Sequence, residues 1–177
     1  MNIQVSDGSG SGPTELSAFD QALVKAGVAN FNLICLSSVL PPGSNVKIQE
    51  VPTRPEGNWG DRLYVVMAQM RTSRRNQEAW AGIGWIQDKK TKQGLLVEHE
   101  GHSEAEVRED IENSLAALAA NRGMEFEKPE MHVVGTKCVD LPVCALVVAV
   151  FESTSWHANR LSKNKLSGLK LPGMARR

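Results

Sequence analysis

The segment from Asn32 to Gly43, which reads NLICLSSVLPPG, places the strongest constraint on how this chain folds. Its first residues alternate as a strand does, with Leu33 and Cys35 on one face. Pro-Pro-Gly then ends the extended stretch, because proline has no N–H for a sheet and glycine accepts turn geometry. Two adjacent serines, Ser37 and Ser38, stand just before this break. The segment therefore predicts a serine pair at the end of a strand.

A serine in a strained turn can attack the carbonyl of the residue before it, and this reaction can convert the serine into a covalent electrophile. Serine pairs before turns are common, however. Taken alone, Ser37 and Ser38 would more often be a plain strand end without chemistry.

The remaining periodicity predicts two helices among several strands. Thr14 is the expected N-cap of the first helix, which Gly27 ends. Ser103 to Glu106 match a capping box and begin the second helix, which ends near Gly123. The Gly/Ser-rich stretch from Asp7 to Pro13 predicts a flexible loop. Strands are expected over 30–36, 46–51, 63–71, 79–87, 94–100, 131–139 and 143–151. This order of elements predicts an α+β fold with mostly antiparallel sheets.

Length and charge exclude several classes of protein. The 177 residues suit one domain, and a formal net charge of zero gives no sign of a nucleic-acid partner. The charge is uneven, because residues 157–177 carry six basic side chains and no acidic one. The rest is acidic, which mildly favours a cationic ligand.

No membrane or secretory segment is expected. The longest apolar stretch, from Leu141 to Phe151, is well short of the ~20 residues of a spanning helix. The first residues have neither a basic start nor an apolar core, so no secretory signal is visible. Three cysteines lie within apolar stretches and predict buried free thiols (Cys35, Cys138 and Cys144). These features together predict a cytoplasmic protein.

The neighbours of the serine pair resemble the pyruvoyl-dependent arginine decarboxylases. The family pattern runs Leu-x-Ala-Phe-Asp-x-Ala-Leu, Ala-Gly-(Ile/Val), Asn-x-Asn-Leu-Ile, Ser-Ser and Pro-Pro. This chain carries it at Leu16–Leu23, Ala26–Val28, Asn30–Ile34, Ser37-Ser38 and Pro41-Pro42. Further on, GLLVEHEG from Gly94 to Gly101 resembles the family's glutamate segment. The match extends from Gly12 to Glu152, is looser after Val51, and leaves the basic tail unexplained.

The resemblance implies a four-layer αββα sandwich whose protomers form a ring of three with sites at their boundaries. We therefore expect a homo-oligomer built from trimers. Residues 1–156 would be one self-processing domain, followed by a basic tail over 157–177.

The chemistry that the resemblance implies begins with the hydroxyl of Ser38, which attacks the Ser37 carbonyl and turns the peptide bond into an ester. Loss of the α-proton of residue 38 expels the Ser37 carboxylate and leaves dehydroalanine, which becomes a pyruvoyl group with release of ammonia. The chain is then two pieces, 1–37 and 38–177. The pyruvoyl group condenses with the substrate amine to an imine that accepts the electrons released with CO2. The implied reaction, that of a carbon–carbon lyase, converts L-arginine to agmatine for polyamine synthesis or acid consumption.

Roles for four further residues follow from the same resemblance. Glu98 falls where the family's proton donor falls, and burial would keep such an acid partly protonated near pH 7. Asp20 and Leu23 would bind substrate, with the carboxylate of Asp20 gripping a guanidinium. Asn32 could hold a carbonyl during the acyl shift or orient the finished group. By periodicity alone, Glu98 would be a surface glutamate and Asn32 a satisfied core amide.

Other interpretations remain open. The chain could be an unprocessed, non-catalytic homologue that acts as an oligomeric structural or regulatory subunit. It could also decarboxylate another amino acid, or bind a small ligand without covalent chemistry. A metal site is not predicted, because EHEGH from Glu98 to His102 lacks the three or four convergent ligands that zinc needs.

Overall fold

Two β-sheets face each other in the computed structural model, which describes residues 1–156 of the chain. Sheet A has the strand order β2-β5-β9-β1-β4, and sheet B has the order β3-β7-β6-β8. The strands are β1 Asn2–Ser11, β2 Asn32–Cys35, β3 Val39–Leu40, β4 Asn45–Ile48, β5 Arg62–Thr72, β6 Glu78–Gln87, β7 Gly94–Gly101, β8 Glu130–Lys137 and β9 Val143–Thr154. The helices are α1 Glu15–Lys25 and α2 Glu104–Arg122.

The four layers lie in the order α1, sheet A, sheet B, α2, and an apolar cluster fills each of the three interfaces between them. The largest lies between the sheets and includes Ile3, Val66 and Ile83. A second joins α1 to the outer face of sheet A, and a third joins α2 to the outer face of sheet B. Among the strand pairs within residues 1–156, only β1–β4 and β2–β5 are parallel. The predicted α+β, αββα fold with mostly antiparallel sheets is therefore confirmed.

Both helices begin and end as the sequence predicts. The Thr14 side chain accepts a hydrogen bond from the Ser17 amide, and Gly27 has a left-handed φ of 81° just past the end of α1. Ser103 caps α2 by accepting from the Glu106 amide. The Glu106 carboxylate accepts from the His102 amide, one residue before the expected partner. Gly123 closes α2 in the left-handed conformation.

The loop predicted over Asp7 to Pro13 is wrong, because most of it belongs to the inner strand β1. β1 pairs with β9 from Gln4–Val150 to Ser11–Val143, and with β4 on its other side. Its small residues serve close packing: a Cβ on Gly8 or Gly10 would collide with backbone carbonyl oxygens of α1. The glycines therefore let α1 lie directly on the strand, which composition alone does not distinguish from flexibility.

Two more predictions need correction, and one lies outside the structure. Cys35 is exposed, not buried, because it ends β2, an edge strand with a neighbour on one side only. The short strand β3 was not expected. Within residues 1–156, no helix is long and apolar enough to cross a membrane. The basic tail over 157–177 lies outside the described residues.

Candidate active site

Ser38 lies where the chain crosses from sheet A to sheet B. β2 ends at Cys35 in sheet A, and β3 begins at Val39 in sheet B. The Leu36 amide donates to a carbonyl of β5 at 2.9 Å, whereas the Ser38 carbonyl accepts from the Leu96 amide of β7 at 2.8 Å. The two sides of the serine pair are thus tied to different sheets.

The backbone of Ser38 is strained. Its φ is +62°, in the left-handed region that favours glycine. For an L-residue, this conformation costs roughly 1–2 kcal/mol. Strain of this kind persists only where the surroundings impose it, and here the short crossover does so.

The Ser38 hydroxyl donates a 2.8 Å hydrogen bond to Oε2 of Glu98. The pairing of β3 with β7 brings the two residues together, because Val39 lies opposite Leu95 and Leu40 opposite Gly94. Ser38 is half-buried, but Glu98 is exposed in the single chain. The structure therefore unites the predicted cleavage residue with the predicted acid, without the burial that was expected around the acid.

A pocket of about 440 Å³ opens beside this pair. Its walls come from the crossover, from the free edge of β7 and from one face of α2. Most of the pocket surface is apolar. The lining residues are Ser37, Ser38, Val39, Leu95, Leu96, Val97, Glu98, His99, Ser114, Ala117, Leu118 and Arg122.

Asn32 is not brought to Ser38 by any described contact. Its side-chain amide donates to the Gly60 carbonyl at 2.6 Å, and its backbone amide donates to Asp61. Trp156 donates to the same Gly60 carbonyl at 2.8 Å. In the single chain, Asn32 therefore holds the loop before β5, and it is exposed instead of being a core amide.

Asp20 and Leu23 line a different pocket, of about 480 Å³, on α1. Its other lining residues are Thr14, Leu16, Ser17 and Phe19, and it shares none with the Ser38 pocket. Both Asp20 and Leu23 lie on a helix that covers the outer face of sheet A. Within one chain, the structure does not bring these two residues together with Ser38.

Sequence reasoning missed three polar residues of the Ser38 pocket: His99, Ser114 and Arg122. His99 Nε2 lies 2.8 Å from the Ser114 hydroxyl. Ser114, Leu118 and Arg122 are spaced four residues apart, so they share one face of α2. That spacing is visible in the sequence, but nothing in it indicates that this face flanks Ser38.

Comparisons with known proteins agree with the resemblance. A family model described as pyruvoyl-dependent arginine decarboxylase matches residues 2–155. The pyruvoyl-dependent arginine decarboxylase of Picrophilus torridus is 34% identical over 128 residues, which cover 68% of this chain and 68% of that protein. That of Methanothermobacter thermautotrophicus is 30% identical over 143 residues, which cover 78% of this chain and 90% of that protein.

Among solved structures, a pyruvoyl-dependent histidine decarboxylase has a TM-score of 0.45 and 16% identity, covering 66% of this chain and 63% of that chain. This likeness is distant, and the assignment rests on the sequence comparisons. The chain belongs to the pyruvoyl-dependent arginine decarboxylase family.

Membership makes the protein a decarboxylase that depends on a covalently bound pyruvoyl group. The surroundings of Ser38 fit such a group. The strained backbone, the hydroxyl held by Glu98 and the adjoining pocket occur at one position of the chain.

Proposed function

We propose that the chain cleaves itself between Ser37 and Ser38 and that residue 38 becomes the pyruvoyl group. The observation that carries this proposal is the strained Ser38 with its hydroxyl 2.8 Å from Glu98. Rupture of the Ser37–Ser38 peptide bond would release the left-handed strain. The precursor therefore holds a reactive hydroxyl, a carboxylate and a destabilised backbone at one bond.

Glu98 would first help the hydroxyl to react. A carboxylate that accepts the hydrogen of Ser38 Oγ makes the oxygen more nucleophilic toward the Ser37 carbonyl. The Leu96 amide, 2.8 Å from the Ser38 carbonyl oxygen, would keep the second half of the cleavage site on β7. The shift exchanges the C–N bond for a C–O bond. Elimination then breaks the bond between Cβ and Oγ, and water releases ammonia from residue 38.

The mature protein would convert L-arginine to agmatine and CO2. A pyruvoyl group at position 38 supplies an acceptor for the electrons that CO2 leaves behind. Glu98 would deliver the proton that replaces the carboxyl group at the substrate Cα. The largely apolar walls near Leu95, Val97 and Leu118 suit a step in which a carboxylate becomes neutral CO2.

Asp20 and Leu23 would act from a neighbouring copy of the chain in a trimer. The support is their separate pocket, because a site completed between copies needs its halves on different surfaces. Apolar side chains flank both halves: Leu16 is 67% exposed on α1, and Val39 is 53% exposed beside Ser38. A neighbour would also bury Glu98. We further propose that Asn32, whose side-chain amide holds the Gly60 carbonyl, orients the finished group.

Intact-protein mass spectrometry tests the cleavage. The purified wild-type chain should give two fragments. The smaller fragment should end at Ser37, and the larger one should begin at residue 38 with a pyruvoyl group that borohydride reduces. Ser38→Ala should remain one chain. A wild-type chain that stays whole would favour the unprocessed structural or regulatory subunit.

An assay of released CO2 and agmatine then tests the substrate. Arginine should be preferred over lysine, ornithine and neutral amino acids. A cleaved protein that prefers another amino acid would keep the decarboxylase class but overturn the arginine assignment.

A further inference from the structure

Self-cleavage, as proposed above, has an electrostatic consequence at Ser37. Elimination breaks the bond between the ester oxygen and Cβ of residue 38. The electron pair of that bond stays with the oxygen, so Ser37 ends in a carboxylate. The precursor has a neutral peptide at this place. A new negative charge therefore appears within the site, and the fold must accommodate it.

The surroundings of Ser37 offer few ways to neutralise that charge. On one side, Ser37 lines the pocket that contains Glu98. On the other it lines a pocket of about 350 Å³ that contains Glu152 and Met1, and the Met1 amino group already donates to the Gly43 carbonyl at 3.0 Å. Both carboxylates would repel a third. Among the residues within 1–156 that line the Ser38 pocket, Arg122 is the only lysine or arginine.

Arg122 is free to take such a partner. It is the last residue of α2, it is exposed, and it lines the same pocket as Ser37. Within residues 1–156 it forms no ion pair or side-chain hydrogen bond. By contrast, Arg108 on the same helix is paired with Glu104 at 2.7 Å.

We propose that Arg122 is the counter-ion of the carboxylate that self-cleavage creates at Ser37. Its guanidinium can bind a carboxylate through two parallel hydrogen bonds. The pairing would draw the new chain end along α2 and away from residue 38, and so leave the pocket open for the substrate. Arg122 is thus a positioning residue that has no side-chain partner among residues 1–156 before cleavage and gains one afterwards.

A simpler role would be structural. A basic residue in the last turn stabilises a helix through its dipole. That effect does not depend on cleavage, whereas the proposed pairing exists only in the cleaved protein. The two roles separate when the same substitution is compared in cleaved and uncleaved chains.

The test is a cycle of four proteins: wild type, Ser38→Ala, and Arg122→Gln in each background. Mass spectrometry first records cleavage, and thermal unfolding is then measured at equal protein concentrations. Arg122→Gln should lower the midpoint of the cleaved protein by about 2–4 °C, as expected for one ion pair in a chain of this size. In Ser38→Ala the same change should remove only the dipole contribution of Arg122, so the midpoint should fall clearly less than in the cleaved protein.

Two further comparisons sharpen the result. Arg122→Lys should recover much of the loss, and salt near 1 M should shrink the difference through screening. Arg108→Gln is the matched control, because it removes a surface pair on the same helix and should act equally in both backgrounds.

The proposal is overturned if Arg122→Gln lowers the unfolding midpoint equally in both backgrounds, or lowers it in neither. A raised KM for arginine with no difference in stability also overturns it, since the guanidinium would then serve the substrate. A wild-type chain that does not cleave refutes the proposed function itself, and mass spectrometry shows this before any unfolding is measured.

Discussion

Ser38 and Glu98, 60 residues apart in the sequence, are joined by a 2.8 Å hydrogen bond across the β3–β7 pair. The register of this pair decides which acid meets the serine. A slip of one residue would turn Glu98 to the other face of the sheet and present Val97 or His99 in its place, depending on the direction of the slip. The chemistry of the site therefore depends on a strand pair only two residues long on the β3 side.

Glu98→Gln should still be cleaved but should turn over slowly. Glutamine keeps an oxygen that can accept from Ser38, so the precursor geometry survives, but an amide is a weaker base than a carboxylate, and cleavage should be slower although it still goes to completion. The amide cannot deliver a proton to the substrate, so turnover suffers more. Loss of a general acid typically lowers the rate by ~10²–10⁴-fold. The measurement is kcat of the processed protein, with cleavage checked on a gel.

Glu100→Gln is the matched control, because Glu100 is exposed on the same face two residues further along β7. Its activity should stay near that of wild type. If Glu100→Gln were inactive and a processed Glu98→Gln near normal, the acid would be Glu100.

Ser38→Gly should unfold at a higher temperature than Ser38→Ala. Neither variant can cleave itself, so the two compare only the backbone. Glycine adopts a φ of +62° without the penalty that alanine incurs, and the net difference is about 1 kcal/mol, or about 2–4 °C. Equal unfolding midpoints of the two variants would mean that the left-handed conformation at position 38 does not destabilise the folded protein.

Asp20→Asn should weaken the use of arginine and leave self-cleavage intact. Its carboxylate would contact the substrate guanidinium, and a charge-assisted contact is worth at least about tenfold in kcat/KM. Cleavage precedes substrate binding, so it should proceed normally. The measurement is kcat/KM for arginine, lysine and ornithine.

Glu15→Gln removes a carboxylate from the first turn of the same helix, outside the Asp20 pocket, and is the control. It should leave selectivity unchanged. Unaltered arginine efficiency in Asp20→Asn would make Asp20 a structural helix residue.

Gly10→Ala should destabilise the fold by about 1–3 kcal/mol, the usual range for overpacking. The added methyl group would meet the Ala18 carbonyl oxygen in α1, and backbone atoms cannot turn aside. Chemical denaturation measures the change. Ser9→Ala, at the preceding position of β1, adds no bulk and should lower the free energy of unfolding much less. Equal stability of the two variants would show that α1 can move away from β1.

Native-state alkylation at pH 8 should modify Cys35 first. Cys35 is exposed, whereas Cys144 is buried, and burial raises the pKa of the Cys144 thiol to about 11. Because only the thiolate reacts, Cys144 should stay protonated and inert until the protein unfolds. Cys35→Ser should abolish the rapid labelling. Rapid modification of Cys144 in the folded protein would contradict its burial.

Local signals carried most of the secondary structure. Thr14 and Gly27 bracket α1, and Ser103 and Gly123 bracket α2, because caps depend on residues close in sequence. β1 escaped prediction because Gly8 and Gly10 serve a helix that follows in the chain, and the contact exists only once both elements are folded. Local composition cannot show such a contact.

The site was predictable only in part, for a similar reason. Ser38 and Glu98 were named from motifs, and the β3–β7 pair joins them. Asp20 stands on another surface, which follows from packing α1 on the far side of sheet A. Arg122 carries no motif at all. Its place in the pocket depends on how α2 crosses sheet B, a matter of tertiary packing.

The position of the crossover at Ser37 and Ser38 also favours folding of the chain before its cleavage. The piece before the cut supplies β1, an inner strand of sheet A, and the piece after it supplies β9 and β5 of the same sheet. Neither piece holds a complete sheet A, so a cut before folding would leave two fragments that must find each other in solution. If the chain folds before it is cleaved, the two pieces are still covalently joined, so they pair within one molecule at a high effective concentration. Cleavage afterwards removes that advantage. The mature protein should therefore regain its structure after denaturation far less readily than Ser38→Ala, because its refolding has become bimolecular.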